Sequence, residues 1–188
     1  MISNTVWPAS AGCMTVEAFG DFDIDALYIA LDTQRRSRGM SWLQVVREIS
    51  GRSRRVPART ISPSTLSGMR RRRAVEGDGV LQMLRWLRRT PESFVQGYND
   101  AATEGAALSE AGDKGVLRFD TRAMYLALDA QRIDRGMTWK QVADEIGGLN
   151  PASLTRLSKG GRTGFPQVMR IVRWLGHPAA SFTRISIW

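Results

Sequence analysis

The chain has 188 residues, 43% of them hydrophobic, the composition of an ordinary globular protein with room for one or two small domains. Lysine and arginine number 27 against 18 acidic residues, a net charge of +9, and only Lys114, Lys140 and Lys159 of those cations are lysines. A single cysteine (Cys13) and a single histidine (His177) exclude an internal disulfide and a Cys/His zinc cluster, and no apolar run approaches the ~20 residues of a membrane span.

Such a basic balance favours a polyanionic partner, nucleic acid before an acidic membrane surface, with plain solubilising charge as the alternative. The N-terminus shows no basic stretch followed by an apolar one, so no signal peptide is read and a soluble, cytoplasmic protein is expected. Residues 1–20 carry turn formers (Pro8, Ser10, Gly12, Gly20) without a helical period and read as a tail, with Cys13 a free thiol.

From Phe22 a repeat begins. Phe22–Ile49 aligns without a gap on Phe119–Ile146, with 17 of 28 positions identical, and Ser62–Phe94 aligns on Asn150–Phe182. The second block keeps a proline (Pro63, Pro151), a leucine (Leu66, Leu154), Arg-Trp-Leu (85–87, 173–175) and Ser-Phe (93–94, 181–182). The spacing predicts two duplicated domains, 21–98 and 118–188, joined by an acidic linker, 99–117, in which little periodicity is visible. Positive charge falls on the two repeats and acid on the linker.

Each repeat should open with a helix capped by Asp23 or Asp120. Ile24, Leu27, Tyr28 and Leu31 recur at i, i+3, i+4 and i+7, and Met124, Tyr125 and Leu128 do the same. Gly39 and Gly136 close these helices. Ser41 and Thr138, each followed three residues later by glutamine, open the next with a capping box. In the second repeat, Val142, Ala143 and Ile146 form a buried stripe, Gly147-Gly148 ends the helix, and Asn150-Pro151 starts another as N-cap and first helical residue. Leu154 and Leu157 give that helix its apolar side, leaving Ala152, Ser153, Thr155, Arg156 and Lys159 outside. Helices 4 and 5 are predicted at Val80–Leu87 and Pro91–Tyr98, and at Phe165–Leu175 and Pro178–Thr183. Trp86 and Trp174 fall on apolar faces and read as core, and His177, beside Pro178, as a capping or packing residue. No strand pattern is visible.

The repeats differ at one place. Twelve residues separate Ile49 from Ser62, but three separate Ile146 from Asn150. The extra stretch, GRSRRVPAR, is basic and non-helical around Pro57, and the helix after it runs into Arg70, Arg71, Arg72 and Arg73. Arginines at that end of a helix pair, Arg54, Arg55, Arg70 and Arg71 among them, suggest phosphate contacts or a minor-groove arm; a solvated loop is the bland alternative.

Two short helices, a tight turn, Ala143 buried in the first helix, Gly147 four residues on and Leu154 anchoring the second resemble the phage-repressor or Cro-like (XRE-type) helix-turn-helix family, here with a turn one residue longer than usual. The resemblance implies an all-α fold of two tandem five-helix, lambda-repressor-like domains, each with a second motif helix entering the DNA major groove. Carried onto this chain, the base-facing positions are Pro151, Ala152, Ser153 and Arg156 in one repeat and Pro63, Ser64, Thr65 and Gly68 in the other. Ser62, Ser67, Asn150, Thr155 and Lys159 complete the DNA-facing set. Arg156 is the best single reader, because a guanidinium pairs with guanine O6 and N7. Gly68 reads nothing, so the first repeat leans on backbone contacts and DNA shape. Trp42 and Trp139 stand where the family often has a phosphate-contacting glutamine.

The resulting expectation is a sequence-specific double-stranded DNA-binding regulator, a repressor of phage or plasmid type, without cofactor or metal. One chain would act as a pseudo-dimer over two unlike half-sites about 34 Å apart, with a homodimer as the alternative. The 19-residue linker, as a flexible coil averaging roughly 25 Å, permits that span. An adaptor docking on RNA polymerase or another DNA-bound protein, or a non-specific nucleic-acid binder, are the rival readings. Arg35, Arg38 and Glu48, with Arg132, Arg135 and Glu145, read as ion pairs between helices rather than an active site. No nucleophile–base set or phosphate loop is found, so an enzyme is not expected.

Overall fold

The computed structural model describes residues 21–51, 61–71, 74–97, 108 and 115–187. The tail, Arg54 and Arg55 of the insertion, and most of the linker lie outside the described residues. The fold is mostly helical with only short strands. The first repeat contains α1 (Ile24–Ser37), α2 (Trp42–Gly51), α3 (Pro63–Ser67), β1 (Val75–Glu76) and α4 (Gly77–Leu87). The second contains β2 (Gly115–Phe119), α5 (Thr121–Asp134), α6 (Trp139–Ile146), α7 (Pro151–Arg156), β3 (Gly164–Phe165), α8 (Gln167–Leu175) and β4 (Thr183–Ile187). Short 3-10 helices follow α3 (Met69–Arg71) and α7 (Leu157–Lys159), and two more occupy Pro91–Phe94 and Ala179–Phe182.

The helix starts follow the residues that signal them. Asp23 Oδ1 accepts the Ala26 N–H at 2.8 Å and Asp120 Oδ1 that of Ala123 at 3.0 Å. Thr138 and Gln141 close a complete capping box, and Ser41 and Gln44 bond in the same two directions. The apolar stripes then bury: Leu27, Leu31, Met124, Leu128, Val142, Ala143, Ile146 and Leu154 are all in the core.

Three expectations need correction. The predicted fifth helices, Pro91–Tyr98 and Pro178–Thr183, are single 3-10 turns. The chain must become extended at Val95 to pair with Phe22, and at Thr183 to run antiparallel to Phe119, and a continued helix would forfeit both pairings. Four short strands are present where none was expected, and β2 starts at Gly115, inside the stretch read as linker. Gly115–Phe119 pairs along its whole length with Thr183–Ile187, so residues 115–117 are structurally part of the second repeat. Finally, α2 runs to Gly51, taking the first residue of the insertion into the helix.

The repeats are packed together. Buried residues of both belong to one continuous apolar core. Strands β1 and β3 pair antiparallel, Val75 opposite Phe165 and Glu76 opposite Gly164, and the Gly77 N–H donates to Thr163 O at 2.8 Å. Since Ser62–Phe94 aligns on Asn150–Phe182, Glu76 and Gly164 occupy equivalent positions. Equivalent residues facing each other in an antiparallel pair place a local pseudo-two-fold axis between them, the signature of an isologous interface. Around that axis the aromatic rings cross over. Phe22 of the first repeat lies 4.6 Å from Phe165 of the second, which lies 5.6 Å from Phe119. A Cβ on Gly77 would sit 2.9 Å from Thr163 O and 3.0 Å from the Phe119 ring, so glycine is what lets the start of α4 approach the second repeat this closely. Helix α4 also holds β2: Gln82 Nε2 donates to Leu117 O at 2.9 Å, and Asp78 Oδ1 accepts the Phe119 N–H at 3.1 Å. Buried Glu92 accepts the Ala179 N–H at 2.7 Å, a carboxylate at the first residue of the second repeat's last 3-10 turn.

A shared core predicts shared unfolding. Phe165 is fully buried at the crossing point, so Phe165→Ala should cost about 3–5 kcal/mol. Guanidinium denaturation followed by far-ultraviolet circular dichroism and by tryptophan fluorescence should show one coincident transition moving to lower denaturant. Two separate transitions, only one of them displaced, would contradict the single core.

Candidate nucleic-acid interface

Each repeat carries the same local unit, a capped helix packed on a short one. In the second, α6 ends at Gly147, whose positive φ of 74° breaks the helix, and Gly148 follows with φ 66°. Asn150 then caps α7, its Oδ1 accepting the Ser153 N–H at 2.7 Å, with Pro151 in the first turn. In the first, Ser62 Oγ accepts the Thr65 N–H at 3.0 Å and also bonds the hydroxyls of Ser64 and Thr65, at 2.8 and 2.9 Å. Leu66 and Leu154 are the buried anchors. Both helices are brief, five and six residues, and the 3-10 turns behind them carry the chain toward β1 and β3.

The residues expected to face DNA divide into three groups. Asn150, Ala152, Arg156 and Lys159 are exposed, as are Ser64, Ser67, Arg70 and Arg71. Ser62, Thr65, Ser153 and Thr155 are half-buried, and the hydroxyls of Ser62, Thr65 and Thr155 are engaged locally, Thr155 Oγ1 donating to Ala152 O at 3.3 Å. They shape the helix before they can touch a ligand. Arg54 and Arg55 are outside the described residues.

The exposed cations are not equivalent. Arg70 is turned back on its own repeat, 3.4 Å from Asp25 Oδ1 and 5.6 Å over the Tyr28 ring. Arg156 and Lys159 make no ion pair with another described residue and stand free on the outer side of α7 and its 3-10 extension. The position equivalent to Arg156 is Gly68, where a Cβ would meet Ser64 O at 2.8 Å. The first repeat therefore ends its short helix one residue earlier, without a long side chain at that point. At the pseudo-two-fold axis Arg162 pairs with Glu76 at 2.9 Å, across the two repeats.

The helices before the short ones, α2 and α6, are held in the two repeats by an identical brace. Arg38 donates to both oxygens of Glu48 at 2.7 Å, and the Trp86 indole N–H donates to Glu48 Oε2 at 2.9 Å. Arg135, Glu145 and Trp174 repeat this, with Arg135 donating at 2.9 Å and Trp174 at 2.9 Å. Each arginine lies over its tryptophan, at 5.5 and 5.3 Å. The expected inter-helix ion pairs are thus Arg38–Glu48 and Arg135–Glu145. Arg35 and Arg132 act otherwise: each pairs within its helix with Asp32 or Asp129, donates to Met40 O or Met137 O, and lies over Trp42 or Trp139. Trp42 and Trp139 pack on Tyr28 and Tyr125, at 5.8 and 5.4 Å, rather than reaching outward. His177 is exposed and meets Phe182 edge-on at 5.9 Å.

Sequence reasoning missed a link beside the turn. Arg170 of α8 bonds both oxygens of Asp21 and donates to Gly147 O at 3.3 Å. Asp21 aligns with Arg118 and Arg170 with Gln82, so the repeat pattern carried no hint of it. Among the described residues no group of three His, Cys, Asp or Glu side chains is placed to hold a metal ion, and no helix is long and apolar enough to cross a membrane. Comparison of the chain with protein-family models, curated proteins and solved structures finds no match.

The Trp174 indole N–H, joined by the Arg135 guanidinium, holds the Glu145 carboxyl below its ordinary range. A depressed carboxylate contributes stability that is present above its unfolded value and fades as pH falls through the folded one. Both partners are 41% exposed, so solvent screening keeps that contribution on the order of 0.5–1 kcal/mol. Glu145→Gln should be less stable than the unaltered chain by about this much in urea at neutral pH, and the two should converge in acid below the carboxylate range. A difference that persists unchanged into acid would mean the charge is not the cause.

Proposed function

We propose that the chain is a sequence-specific double-stranded DNA-binding regulator, a repressor of phage or plasmid type, in which α2–α3 and α6–α7 are two helix-turn-helix units and α3 and α7 their recognition helices. The observation that carries this reading is the outer side of α7, where Arg156 and Lys159 make no ion pair with another described residue at the end of a capped two-helix unit that recurs in the other repeat. Unpaired cations at one end of a short exposed helix suit a phosphate-lined groove, where an arginine also finds the acceptor pair of guanine. The net charge of +9 supports the same partner.

The antiparallel pairing of β1 with β3 supports an inverted arrangement of the two recognition helices, one chain doing the work of a two-fold dimer. Because Gly68 stands where Arg156 does, the two half-sites should be unlike. Their separation is then set by packing across the shared core rather than by the reach of the linker.

Selection from a random DNA library with the intact chain, followed by footprinting and mass measurement of the complex, tests the reading. One chain over two unlike inverted half-sites supports it. Two chains on a palindrome, or enrichment of no sequence, would overturn it. On the selected duplex Arg156→Ala should cost about 1–3 kcal/mol and relax preference at one position; an unchanged preference would remove Arg156 as a reader. Deleting residues 52–59, with Arg54 and Arg55, should weaken binding to all sequences alike and shallow the salt dependence by ~0.9 log unit for each phosphate that the insertion neutralises. If slope and affinity stay as they were, the insertion does not touch DNA.

A further inference from the structure

The turn between α6 and α7 is gripped from outside its own motif. Arg170 projects from α8 and donates from one guanidinium nitrogen to Gly147 O at 3.3 Å. Its Nε donates to Asp21 Oδ1 at 2.8 Å and its remaining nitrogen to Asp21 Oδ2. Such a two-pronged pair fixes orientation as well as distance. Asp21 is the first described residue of the first repeat and immediately precedes Phe22, whose ring crosses to Phe165. One guanidinium thus ties the head of the first repeat to the carbonyl that ends α6, three residues before the N-cap of α7.

The turn is built to admit it. A Cβ on Gly148 would lie 1.9 Å from Arg170 Nη1, and both glycines of the turn have positive φ. Charge reinforces the contact: the Arg170 hydrogen bonds, opposed by partial burial and aided by the nearby Arg170 and Arg173 charges, hold the Asp21 carboxyl below its ordinary range. Among the described residues the first repeat shows no matching link to its motif turn. Its equivalent of Arg170, Gln82, donates to Leu117 O of the other repeat, and its motif turn is replaced by the basic insertion. The strut serves the repeat whose short helix carries Arg156.

We propose that Asp21 is a positioning residue for the recognition helix of the other repeat, acting through Arg170 on the Gly147 carbonyl; its effect on DNA reading rests on the DNA-binding function proposed above. An ion pair whose side chains are 49% and 24% exposed contributes little to global stability. Orientation of a reading side chain is far more sensitive, since a well-made guanidinium–base pair discriminates by about tenfold or more and depends on alignment.

The test uses the full chain with Asp21→Asn and Asp21→Glu. Hydrogen exchange should quicken at the Gly147–Asn150 amides in Asp21→Asn, with α1, α4 and the melting temperature unmoved, and revert in Asp21→Glu. On the duplex selected by the unaltered chain, Asp21→Asn should lower base discrimination in the half-site covered by α7 about tenfold. Discrimination under α3 and the salt slope should stay the same. Unchanged exchange at Gly147–Asn150 overturns the proposal whether or not the chain selects DNA. So does faster exchange throughout the molecule, or an equal loss of discrimination in both half-sites. A chain that enriches no sequence would refute the DNA reading while the exchange result still decides the positioning role.

Discussion

Everything in this fold depends on two short strands meeting at equivalent residues. Glu76 faces Gly164 across the antiparallel β1–β3 pair, and the aromatic rings of Phe22, Phe119 and Phe165 gather beside it. Hydrogen bonds between two-residue strands would contribute little in isolation, because a lone two-stranded ribbon is marginal in water. Burial of the rings is what makes the pairing persist, and the missing side chain of Gly77 is what lets them close. The duplicated sequence therefore yields two repeats joined through one continuous apolar core, with internal pseudo-symmetry.

That symmetry bears directly on the proposed function. A two-fold dimer presents two identical readers, whereas a fused pseudo-dimer can let its readers diverge without losing the geometry that sets their separation. The repeats have diverged in just this way. The brace of arginine, glutamate and tryptophan behind each motif is the same in both. The short helices it supports are not: one offers Arg156 and Lys159, while the other has Gly68, an Arg70 folded back over Tyr28, and a basic insertion at its entrance. If the proposed DNA reading holds, that contrast is what makes the two half-sites unlike.

Much of the local structure was legible in the residues. Caps at Asp23, Asp120, Ser41, Thr138 and Asn150, the glycine stops, and the buried leucine anchors followed from rules that act over three or four residues. The Arg38–Glu48 and Arg135–Glu145 pairs could be anticipated because they recur at matching places in both repeats. What was not legible is non-local and built from weak signals. The two-residue strands β1 and β3 carry no alternation to detect. The five-residue β2 and β4 become strands through pairing with each other across the second repeat, and the 3-10 turns at Pro91 and Ala179 are cut short only because the next residue must pair with the start of its own repeat. The Arg170–Asp21 strut joins residues 149 positions apart that differ from their counterparts, so neither spacing nor repetition could reveal it. The linker was read as permissive, and packing rather than linker length sets the separation of the repeats.

The most direct test of this account is the affinity of the intact chain for its selected duplex as the separation of the two half-sites is changed. On the proposed DNA reading, α3 and α7 held by a shared core require the half-sites on one face of the DNA, about one helical turn apart. Inserting roughly half a turn, ~5 base pairs, between them should reduce binding to the level of the stronger half-site alone, and inverting one half-site should do the same. Affinity that is indifferent to spacing and orientation would contradict the fixed pseudo-two-fold arrangement and show that the two repeats engage DNA independently.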